Sequence, residues 1–159
     1  MSVETVKKYF ERFGRGCDVL EFDESSATVE LAAKAVGVYY GQIAKTLCFK
    51  SGEGCILLVA AGDVKIDNTK FKAEFGFKAS MLPPDDVKRL TGYAVGGVCP
   101  FALPEGSKVY ADISLKKFDV VYPACGSSNS AIGLSINELN EYASIQSWVD
   151  VCKPYTNNI

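Results

Sequence analysis

Two stretches of the chain carry residues whose types and spacing could do chemistry. In Gln42-Ile43-Ala44-Lys45-Thr46-Leu47-Cys48-Phe49 a lysine interrupts an otherwise apolar strand pattern. Alternation permits an outward, solvated Lys45 on a half-exposed strand. The other reading is an ammonium aimed into a pocket, where a compact point charge binds phosphate or carboxylate. The second stretch, Gly92-Tyr93-Ala94-Val95-Gly96-Gly97-Val98-Cys99-Pro100-Phe101, sets three glycines and a proline among apolar neighbours. Gly96 and Gly97 admit positive φ or the close approach of a ligand, while Pro100 fixes its own φ and holds Cys99 extended. This predicts a stiff, semi-buried loop whose bare N–H groups can face a ligand. A tight strand-to-strand connection that uses glycine for shape alone fits the same residues.

The residue types that are missing narrow the chemistry further. The chain has no histidine, which excludes Ser-His-Asp and Cys-His nucleophilic machinery and every imidazole general base. Any hydrolysis must rest on positioning, electrostatics, water or the substrate's own groups. None of the cysteines, Cys17, Cys48, Cys55, Cys99, Cys125 and Cys152, forms a C-x-x-C pair, so free thiols are expected rather than a metal site or a disulfide framework. Cys99 and Cys125 would be reactive thiols if they lined a pocket, although inert apolar filling is the commoner fate of cysteine. Asp112 could orient Lys45 or a water, or stand as an ordinary strand-end carboxylate.

The elements that must position these residues follow from periodicity and punctuation. At 159 residues, 48% hydrophobic and 23% charged, the chain fits one domain over 1–159, one able to bury about 70% of the surface its unfolded form exposes. Val6, Tyr9, Phe10 and Phe13 make one helical stripe over residues 2–13, and Cys17 to Phe22 reads as a strand. A second helix runs from Thr28 to Val36, rich in alanine and closed by Gly37. Strands over Ile43 to Phe49 and Cys55 to Ala61 make a hairpin, the second apolar enough to be covered on both faces. Asp67 caps a short helix, Phe77 to Met81 reads as a short strand, and Pro83-Pro84-Asp85-Asp86 opens another helix to Leu90. Beyond the glycine loop come strands at Val109 to Ile113, Phe118 to Ala124 and Ala131 to Leu134. A capping box at Ser135 to Glu138 then opens a final helix, Trp148 and Val149 pack a last strand, and residues 150–159 are expected as a frayed tail.

About seven strands and roughly four or five short helices specify an α/β (α+β) domain with a curved, mixed, mostly antiparallel sheet or barrel. Short connections at residues 50–54 and 114–117 imply antiparallel pairs. No apolar run approaches membrane-spanning length, and the N-terminus enters helical periodicity with no apolar leader pattern, which points to a cytoplasmic protein. Net charge is −2, so a nucleic-acid partner would need a local basic face. Candidates are Lys65, Lys70, Lys72 and Lys78 with Lys88 and Arg89, or the first helix with Lys7, Lys8, Arg12 and Arg15. Taken separately, each is more commonly the solvated face of a surface helix.

Taken together, Ile43-Ala44-Lys45-Thr46-Leu47, the loop from Gly92 to Phe101, and Ala124-Cys125-Gly126 ahead of a short strand and helix resemble the YbaK-like family of aminoacyl-tRNA deacylases, which includes the editing domain inserted in bacterial prolyl-tRNA synthetase. Residues 27–38 look like the family's helix ahead of the lysine strand, and the likeness covers about residues 17–142 in family order. The resemblance implies cofactor-free, metal-independent hydrolysis of the ester that joins a wrong amino acid to the 3′ end of tRNA. It implies that Lys45 meets the terminal adenosine and its phosphate, and that Gly96 and Gly97 hold the substrate carbonyl through backbone N–H groups. Thr46, Val98, Cys99, Pro100, Asp112, Gly126 and Ser127 are the substrate-binding residues expected beside them. Aminoacyl-tRNA is the expected partner, with a synthetase as a further one. Cys99 stands where the family more often carries serine, and Ser127-Ser128-Asn129-Ser130 stands where a basic residue is usual. The rival reading is a non-catalytic module of the same fold that binds tRNA or a synthetase.

Overall fold

The computed structural model describes residues 2–155. Helix α1 (Val3–Glu11) buries Val6 and Phe10 completely, as its apolar stripe requires. A 3₁₀ turn at Gly16–Asp18 follows, closed by the Asp18 N–H on the Arg15 carbonyl at 2.9 Å. The strand expected from residue 17 therefore shrinks to β1 (Leu20–Glu21). Helix α2 (Val29–Val36) starts where the Thr28 side chain accepts the Leu31 N–H at 3.1 Å. Its small Ala32 and Ala33 let it pack against Ile43 at the start of the next strand.

That strand, β2 (Ile43–Ser51), pairs antiparallel with β3 (Gly54–Ala61) in the expected hairpin. β3 is buried from Ile56 to Ala61, as its unbroken apolar run foretold. After the hairpin come β4 (Val64–Ile66), α3 (Asn68–Phe75) and α4 (Pro84–Thr91), then β5 (Lys108–Asp112) and β6 (Val120–Pro123). The chain closes with β7 (Ser130–Ala131), β8 (Leu134–Ser135), α5 (Ile136–Tyr142), β9 (Trp148–Val149) and β10 (Cys152–Pro154). The predicted capping box is present at Ser135 and Glu138.

Six strands form one curled, mixed sheet in the order β8-β6-β2-β3-β5-β9, with helices around it, so the domain is α+β. β2 pairs parallel with β6, β3 with β5 and β5 with β9, while β6 and β8 run antiparallel. Two small ladders, β1–β7 and β4–β10, are antiparallel as well. The core is continuous beneath the sheet, from Phe10, Tyr93 and Phe101 at one end to Phe49 and Phe71 at the other.

Three local expectations change. Phe77 to Met81 forms no strand but touches β2 through a single bridge, Met81 with Phe49; Phe77 is drawn instead into the ring cluster of Phe71 and Phe75. Residues 114–117 do not turn the chain back between paired strands. They belong to a 3₁₀ helix, Ile113–Lys117, that crosses the end of the hairpin with Leu115 buried, so β5 and β6 lie on opposite sides of it. The segment expected as a frayed tail carries β10, which β4 holds in place; residues 156–159 lie outside the described residues.

Candidate functional site

Along the first half of β2 a cavity of about 400 Å³ opens, a size that suits a small ligand. Its floor is Ile43 to Cys48 of β2. One wall is the turn Ser26-Ala27-Thr28 with Val29 and Ala32 of α2; another is Met81, Leu82, Pro84 and Val87 around the start of α4. Val95, Gly96 and Val98 of the glycine loop close a third side, with Tyr122, Ala124, Ser130 and Ala131 beneath. Lys45 is the sole charged residue among them. The walls supply neither carboxylate nor imidazole.

The Lys45 ammonium bonds the Val64 carbonyl of β4 and lies 3.5 Å from the Tyr155 hydroxyl. An ammonium has three donors, so this arrangement fixes the side chain and leaves capacity for a ligand oxygen. Next to it, the Thr46 hydroxyl is buried with no hydrogen-bond partner among the described residues. A buried hydroxyl left unpaired costs about 1–3 kcal/mol.

The glycine loop divides between cavity and scaffold. Gly96 lines the cavity at φ +98°, a conformation side chains rarely take, with Ala27 so close that a Cβ would stand 3.3 Å from the alanine methyl. Gly97 does not line it: its N–H already donates to the Ala94 carbonyl at 3.0 Å, and a Cβ there would fall 2.8 Å from the Ser127 backbone nitrogen. No hydrogen bond engages the N–H of Val95, Gly96 or Val98 among the described residues. The cavity-lining loop residues with unengaged N–H groups are therefore Val95, Gly96 and Val98, and Gly97 is not among them.

Lys45, Thr46, Gly96 and Val98 are thus brought together, and the other anticipated residues are not. Pro100 is buried away from the cavity. Gly126, at φ +91°, is hemmed in by the Ser2 carbonyl, Tyr93 and Val6. The Ser127 hydroxyl is engaged within its own turn, donating to Asn129 Oδ1 at 2.9 Å and lying 2.8 Å from the Ser130 hydroxyl, which can donate to it, and of these it is Ser130 that reaches the cavity. Asp112 is 1% exposed, its carboxylate accepting the N–H of Ser114 at 2.9 Å and of Val151 at 2.8 Å. It holds β5 to the chain ahead of β10. Asp112→Ala strands both donors and is expected to cost about 2–4 kcal/mol of stability, read as a lower urea midpoint, without altering turnover where the variant is folded.

The thiols are packing groups. Cys99 and Cys125 are fully buried, and burial pushes the Cys99 thiol up to about 12 and the Cys125 thiol well above its ordinary range. Cys48 borders the cavity, yet burial raises its thiol to about 12 too, as it does for Cys152. Native protein should give prompt alkylation at exposed Cys17 and slow alkylation at these four. Raised folded-state values mean that the folded protein holds these protons more tightly than the unfolded chain. Their contribution to stability is complete below about pH 9 and is lost as pH rises towards 12. Urea midpoints across that window should fall, and Cys48→Ala/Cys152→Ala should flatten the fall.

Sequence reasoning missed Ser26 to Thr28 as a wall and placed Thr28 at the start of the second helix, where the structure makes it the cap. Met81, Val87 and Tyr122 carried no local signal, since only the fold assembles them. Among the described residues no three histidine, cysteine, aspartate or glutamate side chains gather into a metal-binding group, and no helix is long and apolar enough to cross a membrane.

The chain and its fold have counterparts among known proteins. Residues 23–142 match the model of the aminoacyl-tRNA editing domain, and the chain belongs to that family. Its relatives include the Uncharacterized protein YwhH of Bacillus subtilis (strain 168), 52% identical over 98% of this chain and 99% of that one. The Multifunctional Ser/Thr-tRNA deacylase ProXp-y of Escherichia coli (strain K12) is 30% identical over 62% of each chain. A crystal structure described as a candidate trans-editing enzyme for prolyl tRNA synthetase superposes with a TM-score of 0.85 at 30% identity, covering 95% of this chain and 96% of that one.

Proposed function

We propose that this protein is a trans-editing deacylase that cleaves the ester of mischarged aminoacyl-tRNA. The observation that carries the reading is the single charged side chain, Lys45, on a cavity otherwise lined by uncharged groups and faced by the Gly96 loop. Lys45 pairs with a phosphate oxygen of the acceptor end and so sets the register of the ester in the cavity. The N–H groups of Gly96 and Val98 donate to the carbonyl oxygen as negative charge develops on it, a stabilisation for which one donor can be worth about 3–4 kcal/mol.

No wall group can serve as the general base, so the base belongs to the substrate. The ribose hydroxyl beside the ester accepts a proton from the attacking water in concert with releasing its own towards the ester's ribose oxygen, and the water oxygen adds to the carbonyl carbon. The bond from that carbon to the ribose oxygen then breaks, and the leaving oxygen takes up the proton. The products are free amino acid and intact tRNA. A thiol side chain on the substrate could instead attack its own ester and leave as a ring. Neither route calls on metal or cofactor.

A panel of mischarged tRNAs tests the reading, with seryl- and threonyl-tRNA first because the Escherichia coli relative is named for them. Release of amino acid above the spontaneous rate from at least one pair is the expected result. Release from none, with tRNA still bound, would replace the proposal with a non-catalytic tRNA-binding module.

A further inference from the structure

The family's matched residues end at 142, but the chain continues into a feature that reaches the site from outside. β10 pairs with β4 in the register Cys152 to Ile66, Lys153 to Lys65 and Pro154 to Val64. Like charges directly opposite one another weaken an antiparallel ladder, and Lys65 and Lys153 are such a pair. Neither makes an ion pair among the described residues. Asp67 does lie in the field of Lys153, but its carboxylate, held below its usual range first by the Lys70 N–H, is engaged in capping α3.

One residue past the ladder, Tyr155 is 49% exposed. The Lys45 ammonium lies 5.3 Å from its ring centroid, and the Val64 carbonyl that holds Lys45 belongs to the same ribbon. A paired cation, an aromatic face and a cation at the cavity edge thus follow one another over a short distance. Proteins that bind single-stranded nucleic acid combine these two components, cations along the backbone and rings on which bases stack. With a net charge of −2 the whole molecule offers no long-range attraction for a polyanion, so the pull must be local.

We infer that the β4–β10 ribbon is the track on which the single-stranded 3′ end of an RNA lies as it enters the cavity, with its terminal base stacked on Tyr155 and its phosphates over Lys65 and Lys153. The inference rests on the reading that Lys45 meets an acceptor end. It adds the element that brings that end there. Tyr155 is a positioning residue, and it acts before the chemical step.

The test is binding of uncharged hairpin RNA with a single-stranded 3′ end, compared with the same hairpin carrying an abasic final nucleotide. The intact RNA should bind the wild-type protein about 5- to 100-fold more tightly than the abasic one, the range expected for one stacked base. Tyr155→Leu should erase that difference and Tyr155→Phe should keep it, with thermal midpoints confirming that both variants are folded. Lys65→Ser/Lys153→Ser should reduce the slope of log affinity against log salt by about 1.4, as two single-strand phosphate contacts would. No discrimination by the wild type, discrimination that survives Tyr155→Leu, or an unchanged salt slope overturns the inference. So does faster deacylation by Tyr155→Leu, which would make the residue a block instead of a platform. Base discrimination without deacylation of any mischarged tRNA would remove the enzymatic reading and leave this one standing; deacylation with an unchanged KM in Tyr155→Leu would do the reverse.

Discussion

Lys45→Ala should lower kcat/KM for the mischarged tRNA that the wild type edits by about two orders of magnitude, the loss expected when a contact that sets the position of the reacting ester is removed. Lys45 is the cavity's single charged lining residue, and its ammonium is already oriented by the Val64 carbonyl. Nothing else in the walls can take over. The same substitution removes one hydrogen bond to a carbonyl, which should cost only about 1 kcal/mol of stability. Activity should therefore collapse while the fold survives, and single-turnover deacylation paired with a thermal melt separates the two. Lys45→Arg keeps the charge but replaces a compact donor with a planar fork, and should recover part of the activity. A Lys45→Ala variant that edits at the wild-type rate would remove Lys45 from the mechanism and, with it, the electrostatic account of the cavity.

Gly126→Ala carries the largest expected effect on stability. At φ +91° an alanine is strained, and its Cβ would stand 2.8 Å from the Ser2 carbonyl oxygen, 2.9 Å from Tyr93 and 3.0 Å from Val6. Tyr93 cannot swing aside, since it is fully buried and its hydroxyl donates to the Phe101 carbonyl at 2.6 Å. Strain of about 1–3 kcal/mol and overpacking of similar size together give about 2–6 kcal/mol, or roughly 5–25 °C in Tm for a domain of this length. A urea titration measures the first and calorimetry the second. Because Gly126 lies against α1 and not in the cavity, the folded variant should retain its turnover. Loss of turnover at unchanged stability would return Gly126 to the substrate-binding set.

The local elements were legible wherever one residue type settles the backbone. Asp67 caps the helix it was expected to cap, Ser135 and Glu138 close their box, and the turn over residues 51–54 makes the hairpin that presents Lys45. Where a segment's state depends on its neighbours, the reading failed. Phe77 to Met81 has strand composition, but packing against Phe71 and Phe75 outweighs it. The brief connection at residues 114–117 suggested a tight turn, while the fold uses it to carry the chain across the hairpin.

The candidate site divides in the same way. By itself the sequence determined that no imidazole can act, that Lys45 stands out within its strand, and that the glycine loop is shaped for close approach, because residue type and chain stereochemistry are local properties. Only the tertiary structure decided which groups meet. It set Lys45, Thr46, Gly96 and Val98 on one cavity and turned Cys99, Asp112, Gly126 and Ser127 into scaffold. It also engaged the Gly97 N–H within the loop and brought Tyr155 back across the sheet to Lys45. Those outcomes depend on strand register and on which faces are buried, which are properties of the packed chain and not of any window within it.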